Sequence, residues 1–526
     1  MAGKRYGQAK NVILMVPDGM SVEAYSFARW LSPKKTLAMD EILRGMVRTH
    51  NSNVPMADSA PAATAMATGY KSQATYIASY PSQIGMVGTE DYEKAMATRP
   101  LATVLEGARE SGRATGLVSL ARVNHATPAA FGAHSLDRED LDPLMDQLVH
   151  QNIDLVLGAG ACHLSPEARE DGQDLLGELR ARGYAYLRTR EDLMVSREER
   201  IWGIFAQEDM NHHLDRGPEE PSLRDMTQKA LEVLSKNDRG FFLLVEGSEI
   251  DWAAHANDPV GLATDILAFD EAVALALDFA KGHEDTLLIV APDHGTGGFS
   301  MGNWETSLTY TQAPLEGYIQ LIAGAKKTAR GAGRDLNSYR TNVEEVMERY
   351  FSIRDLREEE KLLIQKTRDP QTGIGQVLSK RSGLAWTSYG HTGGDVALFS
   401  YSSCPDLPPL GGLVFNQEIG SYMAYALGLD LDQTRERLYP LACPLFKEAG
   451  VRLTPIKREK GPGLLRLDRA GREVYLPLNK DYFIRGGRRY YFSGLSLAQG
   501  GELYLAREAI DLILAQLGQA AYKRAI

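Results

Sequence analysis

The segment Thr286-Leu-Leu-Ile-Val-Ala-Pro-Asp293-His294-Gly295 is a short apolar run that ends in an acidic residue and a histidine. Asn11-Val-Ile-Leu-Met-Val-Pro-Asp18-Gly19 and Phe241-Phe-Leu-Leu-Val-Glu246-Gly247 have the same form. A continuous apolar run of this length is typical of a strand that is buried on both faces of a parallel sheet. In such sheets the ligand crevice lies beyond the carboxyl ends of the strands, so the polar residues after each run are candidates for chemistry.

Outward from these three segments, apolar runs alternate with helical periodicity up to about residue 428. This alternation predicts an α/β fold with a largely parallel central sheet that is covered by helices on both faces. The predicted strands are 11–16, 114–120, 154–158, 241–245, 286–290, 318–322 and 395–400. The predicted helices are 101–111, 166–182, 222–235, 259–281, 342–350 and 418–427.

The texture of the sequence changes twice along the chain. Polar and glycine-rich sequence interrupts the α/β pattern at approximately 324–388, which predicts a surface insertion in a main domain of residues 1–428. Residues 429–455 are predicted to be a helical connection. The turn-rich, aromatic sequence of 456–526 predicts a small C-terminal α+β module of unknown role.

Composition excludes several classes of protein. The 69 acidic residues exceed the 58 basic ones and give a net charge of −11, which argues against a specific nucleic-acid partner. No apolar run approaches the roughly 20 residues of a transmembrane helix. The first six residues lack the apolar stretch of a signal peptide, so export cannot be read directly from them. The three cysteines form no recognisable metal or disulfide pattern, and whether any of them pair stays open.

Asp251 and His255 form the best metal-binding pair in the sequence. If this segment is helical, the i and i+4 side chains share one face and can bind one cation. With His391 they form an imidazole-rich set that suits Zn²⁺, whereas Glu246 and a hydroxyl better suit Mg²⁺. The sequence therefore implies more than one metal.

Ser59 is the candidate nucleophile near these metals. It stands just before Pro61 and an alanine-rich helix former, which predicts a helix N-terminus, where N–H groups and the dipole favour an anion such as phosphate. A serine hydroxyl is a weak nucleophile by itself, but Zn²⁺ can activate it without a histidine base.

Taken together, these motifs make the chain resemble the metal-dependent alkaline phosphatases from about residue 10 to about 428. The resemblance rests on Asp18-Gly19-Met20, Asp58-Ser59-Ala60, His125-Ala-Thr127-Pro128, Glu246 with Asp251 and His255, Pro292-Asp293-His294 and Gly390-His391-Thr392-Gly393. It implies an alkaline-phosphatase-like fold and a hydrolase that releases inorganic phosphate from phosphate monoesters.

The resemblance also implies roles for individual residues. The residue matching Ser59 attacks phosphorus and becomes a phosphoserine. Arg138 matches a guanidinium that clamps two phosphate oxygens, and Asp58 would orient it. The implied metals are two Zn²⁺ and one Mg²⁺, with these matches: Asp251, His255 and His391 for the first zinc, Asp18, Asp293 and His294 for the second, and Asp18, Thr127 and Glu246 for magnesium.

Two further positions vary between branches of the family. His125 is expected near the magnesium without direct ligation, and Trp252 replaces a basic residue found in some relatives. A plain core role for Trp252 and a surface salt bridge for Arg138 stay open. The resemblance further implies an exported homodimer, whereas the physiological substrate and the metal preference of the third site are not implied.

Three other functions compete with this interpretation. A phosphodiesterase or nucleotide pyrophosphatase with the same two-metal core is the nearest, although such enzymes lack the combined Thr127, Glu246 and Arg138 set. A sulfatase is disfavoured because alanine stands at the last position of Ser59-Ala-Pro-Ala-Ala63, where its motif requires arginine. The remaining alternative is a surface-attached binding protein whose C-terminal module attaches it and whose catalytic core is incidental.

Overall fold

The computed structural model describes residues 8–518 of the chain. The N-terminal start, in which no signal peptide is predicted, lies outside these residues, as does the last part of the predicted C-terminal module, 519–526. Up to residue 415 the strands are β1 (Asn11–Val16), β2 (Leu43–Arg48), β3 (Ala114–Arg122), β4 (Leu155–Ala159), β5 (Ala185–Leu187), β6 (Ile201–Ile204), β7 (Phe241–Glu246), β8 (Thr286–Val290), β9 (Gly295–Thr296), β10 (Phe299–Met301), β11 (Leu384–Trp386), β12 (His391–Thr392), β13 (Val396–Ser402) and β14 (Gly412–Phe415).

Ten of these strands form one central sheet in the order β14-β2-β13-β8-β1-β7-β3-β4-β6-β5. All neighbours run parallel except β13, which is antiparallel to both β8 and β2. This largely parallel sheet confirms the predicted α/β class. Strands β8, β1, β7 and β3 lie side by side, so their carboxyl ends meet at one edge.

Helices cover both faces of the sheet, as the buried apolar strands require. Along β1, Ile13 and Met15 belong to one hydrophobic cluster, whereas Val12 and Leu14 belong to the cluster on the opposite face. The helices of this part are α1 (Val22–Leu31), α2 (Ala38–Glu41), α3 (Ser59–Thr68), α4 (Val104–Glu110), α5 (Ala126–Gly132), α6 (Leu141–His150), α7 (Leu175–Ala181), α8 (Arg190–Val195), α9 (Leu223–Leu234), α10 (Glu249–His255), α11 (Pro259–Gly282), α12 (Leu315–Ala323), α13 (Ala329–Arg334), α14 (Val343–Phe351), α15 (Glu358–Lys366), α16 (Pro370–Arg381) and α17 (Asn416–Leu427).

The predicted strand 318–322 is wrong, because these residues lie in α12. A five-residue apolar run fits a buried strand and a buried helix turn equally well. Pro314 supplies the N-cap position of this helix, and only Ile322 of α12 is buried. The region predicted as an insertion, approximately 324–388, is mostly helical and contains α13 to α16.

The predicted helix 166–182 is present only in its second half, as α7. Before it, the guanidinium of Arg169 donates hydrogen bonds to the carbonyl oxygens of Asp142 and His163, at 3.2 and 2.8 Å. These bonds hold residues 165–174 as turns against α6, so the helix begins only after Asp174 caps it.

The C-terminal part is an α+β module with its own core, as predicted. Its elements, with the helix that precedes it, are α18 (Leu431–Leu438), α19 (Ala442–Glu448), β15 (Arg452–Ile456), β16 (Leu464–Arg469), β17 (Arg472–Pro477), β18 (Tyr482–Arg485), β19 (Arg488–Tyr491), β20 (Leu497–Gln499), β21 (Glu502–Tyr504) and α20 (Arg507–Gln516). Strands β15 to β19 form an antiparallel sheet, and α19 and α20 contribute to the same hydrophobic cluster. Since that cluster begins at Ala442, we propose that the module starts near residue 440 and not at 456.

Within residues 8–518, no helix is both long and apolar enough to cross a membrane. The three cysteines are unpaired in the structure.

Candidate active site

The candidate residues of the sheet meet at the carboxyl edge formed by β8, β1, β7 and β3. Asp18 follows β1, Glu246 ends β7, and Asp293 with His294 follows β8. Thr127 lies in the first turn of α5, just beyond β3. Because these four strands are neighbours, segments more than 200 residues apart in sequence share one crevice.

Ser59 is the first residue of α3 and is almost fully buried. Its Oγ lies 3.1 Å from Nε2 of His294. Apart from Met66 the helix consists of small residues, and it packs closely against α17, where a Cβ on Gly420 would lie 2.7 Å from the carbonyl oxygen of Met66. This tight packing fixes the start of α3, with its free N–H groups, at the crevice.

His255 and His391 face each other through their Nε2 atoms, which lie 3.1 Å apart. The Nδ1–H of His391 donates to the carbonyl of Ala57 at 2.8 Å, and that of His255 donates to the carbonyl of Tyr389. These bonds leave both Nε2 atoms as lone-pair acceptors when the rings are neutral, and two acceptors cannot hydrogen-bond to each other. Asp251 adds a carboxylate oxygen 3.3 Å from Nε2 of His255.

A second group lies directly behind the first. Nε2 of His294 is 3.2 Å from Oδ2 of Asp293 and 3.7 Å from Oδ1 of Asp18. The His294 and His391 rings stack with centroids 3.7 Å apart, so the two groups adjoin. Gly19, with a φ of +71°, is required here because a Cβ would lie 2.6 Å from the Asp251 carboxylate.

The third group consists of oxygen atoms. The hydroxyl of Ser119 donates to Glu246 Oε2. The other carboxylate oxygen of Glu246 and the hydroxyl of Thr127 make no hydrogen bond within the described chain. Buried oxygens without partners are costly, and a hard cation such as Mg²⁺ would satisfy them.

Arg138 reaches the site from a surface turn. Its Nη1 donates to Oδ1 of Asp58 at 2.6 Å, and its Nη2 donates to Nε2 of His125 at 3.2 Å. The His125 ring contacts the Trp252 indole edge-on, with centroids 5.9 Å apart. Arg138 is thus anchored beside Ser59, and Trp252 contacts one of its anchors.

The electrostatics of the site are those of crowded buried acids. Burial, and then repulsion from Asp293 and Asp251, raises the pKa of Asp18 well above its usual value. Burial and the Asp251 charge raise the pKa of Asp293 to about 6. Burial would also raise the pKa of Asp251, but the hydrogen bond and charge of His255 lower it. Burial and His391 lower the pKa of His294 to about 3, so this imidazole is neutral.

The residues therefore fit bound cations. The ligand atoms of Asp251, His255 and His391, and those of Asp18, Asp251 and His294, each lie within 4.8 Å of one another. Imidazoles with carboxylates suit Zn²⁺, and positive charge would relieve the repulsion among the acids.

Metal-free protein should lose stability as the pH rises through about 6. The folded-state pKa of Asp293, about 6, lies above its usual value of 3.8. The stabilisation that its protonated form gives the folded state is therefore fully present below pH 3.8 and is lost as the pH rises through about 6. We expect metal-free Asp293→Asn at pH 8 to exceed metal-free wild type in free energy of unfolding by about 2–3 kcal/mol, measured with urea. Near pH 4 the difference should vanish. A wild type that stays the more stable of the two at pH 8 would contradict the assignment of this repulsion.

Several residues that support the site were missed in the sequence. Thr296 donates to Oδ1 of Asp251 at 2.6 Å, and Ser119 and Ser248 flank Glu246. Thr296 stands two residues after His294, so its closeness to the site could have been predicted from the sequence. The carbonyl groups of Ala57 and Tyr389 could not have been predicted, because every residue has a backbone carbonyl.

Comparisons with known proteins point to one protein family. The family model for alkaline phosphatase matches residues 9–429. Alkaline phosphatase 4 of Bacillus subtilis is 33% identical over 437 residues, which cover 78% of this chain and 87% of that protein. The repressible alkaline phosphatase of Saccharomyces cerevisiae is 31% identical over 486 residues, which cover 81% and 83%. The crystal structure of Thermus thermophilus alkaline phosphatase superposes with a TM-score of 0.72 at 28% identity, covering 81% of this chain and 92% of that one.

Proposed function

This chain belongs to the alkaline phosphatase family of metal-dependent hydrolases, and we propose that it hydrolyses phosphate monoesters through a phosphoserine formed on Ser59. The family membership makes it an enzyme that acts on phosphate monoesters. The finer proposal concerns the roles of individual residues and the number of metals.

We assign one Zn²⁺ to Asp251, His255 and His391, and a second to Asp18, Asp293 and His294. Asp18, Thr127 and Glu246 would hold one Mg²⁺. When bound, these cations would stabilise developing negative charge and lower the pKa of adjacent hydroxyl groups and water. His125 and Trp252 would shape the third site without ligating it.

Ser59 carries the covalent step in this proposal. Its Oγ attacks phosphorus, the P–O bond to the leaving group breaks, and the alcohol takes up a proton. Water then attacks the phosphoserine, which releases inorganic phosphate and restores the hydroxyl. The N–H groups at the start of α3 face the phosphoryl oxygens, where they favour an anion.

Arg138 binds the phosphoryl group from the other side. Its planar guanidinium can donate two parallel hydrogen bonds to two phosphate oxygens. Asp58, 2.6 Å from Nη1, holds the guanidinium in place and keeps it next to the serine that follows Asp58 in sequence.

One observation supports this function most strongly. The Nε2 atoms of His255 and His391 face each other at 3.1 Å while both Nδ1 atoms are engaged by backbone carbonyls. Two facing lone pairs repel each other, and a cation bound to both nitrogen atoms would stabilise this arrangement. It lies next to a buried serine at a helix N-terminus, which is where phosphate would bind.

A direct comparison of substrates tests the proposal. One preparation of the protein, loaded with Zn²⁺ and Mg²⁺, is assayed with an aryl phosphate monoester and with the corresponding diester. We expect kcat/KM for the monoester to be higher by about a hundredfold or more, because a monoester offers the additional charged oxygen that Arg138 and the cations bind. Preference for the diester would favour a phosphodiesterase or nucleotide pyrophosphatase instead.

The family resemblance also leads us to propose export and a homodimer. Light scattering after gel filtration tests the second, and a mass of 57.9 kDa in solution would rule the dimer out. Fractionation of the producing cells tests the first.

A further inference from the structure

The C-terminal module lies outside the matched residues 9–429, yet its hydrogen bonds reach residues that hold the segment carrying Arg138. We call residues 134–140 the arginine turn. The hydroxyl of Ser135 donates to Asp140 at 2.7 Å and accepts from the N–H of Asp137 at 3.0 Å, which closes the turn around Arg138. The position of Ser135 therefore affects the point at which the Arg138 side chain leaves the backbone.

Ser135 is connected to the module through Ser79. Ile77 and Ser135 form a two-way backbone bridge, with N–H to carbonyl distances of 2.9 and 3.1 Å. The buried hydroxyl of Ser79 donates to the Ile77 carbonyl at 2.7 Å and lies 3.2 Å from the carbonyl oxygen of Ser135. Gln499 of β20 then donates through Nε2 to Ser79 Oγ at 2.9 Å and to the Thr98 carbonyl at 2.7 Å.

His134, at the start of the arginine turn, is held separately. Its Nδ1 donates to the Ala78 carbonyl at 3.1 Å, and its Nε2 lies 3.0 Å from the hydroxyl of Tyr439. Tyr439 follows α18, just before the module, and its hydroxyl also donates to the buried Glu106. The side-chain amide of Gln147 bonds both backbone groups of His134 and lies 3.3 Å from Asn479 of the module.

A cavity of about 350 Å³ separates the rest of the arginine turn from the module. Its walls include Ser135, Leu136 and Asp140 on one side and Leu478 and Leu497 on the other. The walls of a cavity make no van der Waals contact with each other, so packing across this gap contributes little to the position of the turn. The hydrogen bonds around the cavity therefore help to set the backbone position of the arginine turn, while Asp58 and His125 hold the guanidinium itself.

We propose that the C-terminal module positions the arginine turn, and that Gln499 and Tyr439 are positioning residues for Arg138 in phosphate binding. The inference rests on the proposed function of Arg138 as the phosphate clamp. It gives residues 440–518 a role in the reaction of the main domain, without contact between the module and the substrate.

A double-mutant cycle tests this proposal in the full-length, metal-loaded protein. The inhibition constant of inorganic phosphate is measured for wild type, Arg138→Ala, Gln499→Ala and the double variant. We expect Arg138→Ala to raise it roughly 10- to 150-fold and Gln499→Ala roughly three- to tenfold. The double variant should be no weaker than Arg138→Ala alone, because Gln499 acts through the guanidinium.

Gln516→Ala is the matched control, since this glutamine of α20 contacts Arg485 within the module and should leave the inhibition constant unchanged. If Gln499→Ala fails to fold, Tyr439→Phe, which removes one hydroxyl, takes its place in the cycle. Additive effects, or a Gln499→Ala variant that binds phosphate like wild type, would overturn the proposal. An unchanged Arg138→Ala variant in an active phosphatase would remove the clamp and its support together, whereas an inactive wild type would remove the proposed function itself.

Discussion

Ser59→Ala is expected to keep its metals and to lose phosphomonoesterase activity by about a thousandfold or more, because the variant has no oxygen that can attack phosphorus. The substitution removes only the Oγ atom of a buried side chain, so we expect the ligands of the three groups to stay in place. The measurement is kcat with a monoester substrate, together with metal analysis of the same sample. The residual activity would come from the remaining charges of the site.

Ser222→Ala is the matched control for this variant. Ser222 also stands at the start of a helix, where its hydroxyl accepts from the N–H of Asp225 at 3.0 Å as the N-cap of α9. Its removal should cost about 1 kcal/mol of stability and leave kcat unchanged. A fully active Ser59→Ala protein would eliminate the proposed nucleophile, and loss of zinc from that variant would show that the serine serves the metals first.

Much of the site could be predicted because a parallel sheet converts sequence order into spatial proximity. Asp18, Glu246 and Asp293 each follow an apolar run directly, and the runs pair as neighbours, so their side chains meet at one edge. The i, i+4 spacing of Asp251 and His255 reports a shared helix face in the same way. These inferences need only local periodicity and the rule for strand ends.

Other features depend on contacts that no local pattern encodes. Residues 318–322 lie in a helix of which only Ile322 is buried, and a run of five residues does not reveal that the segment lies outside the central sheet. The tautomers of His255 and His391 are set by carbonyl groups, and every residue has one. Gln499 and Ser79 are 420 positions apart, and nothing in either segment announces the bond between them.

Removal of the metals should abolish turnover and lower the stability of the fold in one step. With a chelator in excess, we expect kcat to fall by about a thousandfold or more, since both half-reactions of the proposed scheme need the charge that the cations supply. The melting temperature should also fall, because a ligand that binds only the folded state contributes about 2.7 kcal/mol at a hundred times its Kd. Zn²⁺ with Mg²⁺ should restore both properties, whereas Mg²⁺ alone should not, because three imidazoles favour zinc.

Two histidine variants, one inside the site and one outside it, test whether the first zinc accounts for the loss of turnover. His391→Ala removes one of the two facing Nε2 atoms, so we expect the variant to bind one Zn²⁺ fewer and to lose most of its turnover. His163→Ala removes a histidine whose Nδ1 lies 2.8 Å from Asp142, outside the site, and it should retain every metal and full activity. If His391→Ala kept the wild-type zinc content and rate, the facing imidazoles would need another explanation. Equal losses in both variants would instead indicate a general dependence of the fold on its histidines, and the assignment of the first zinc to Asp251, His255 and His391 would fail.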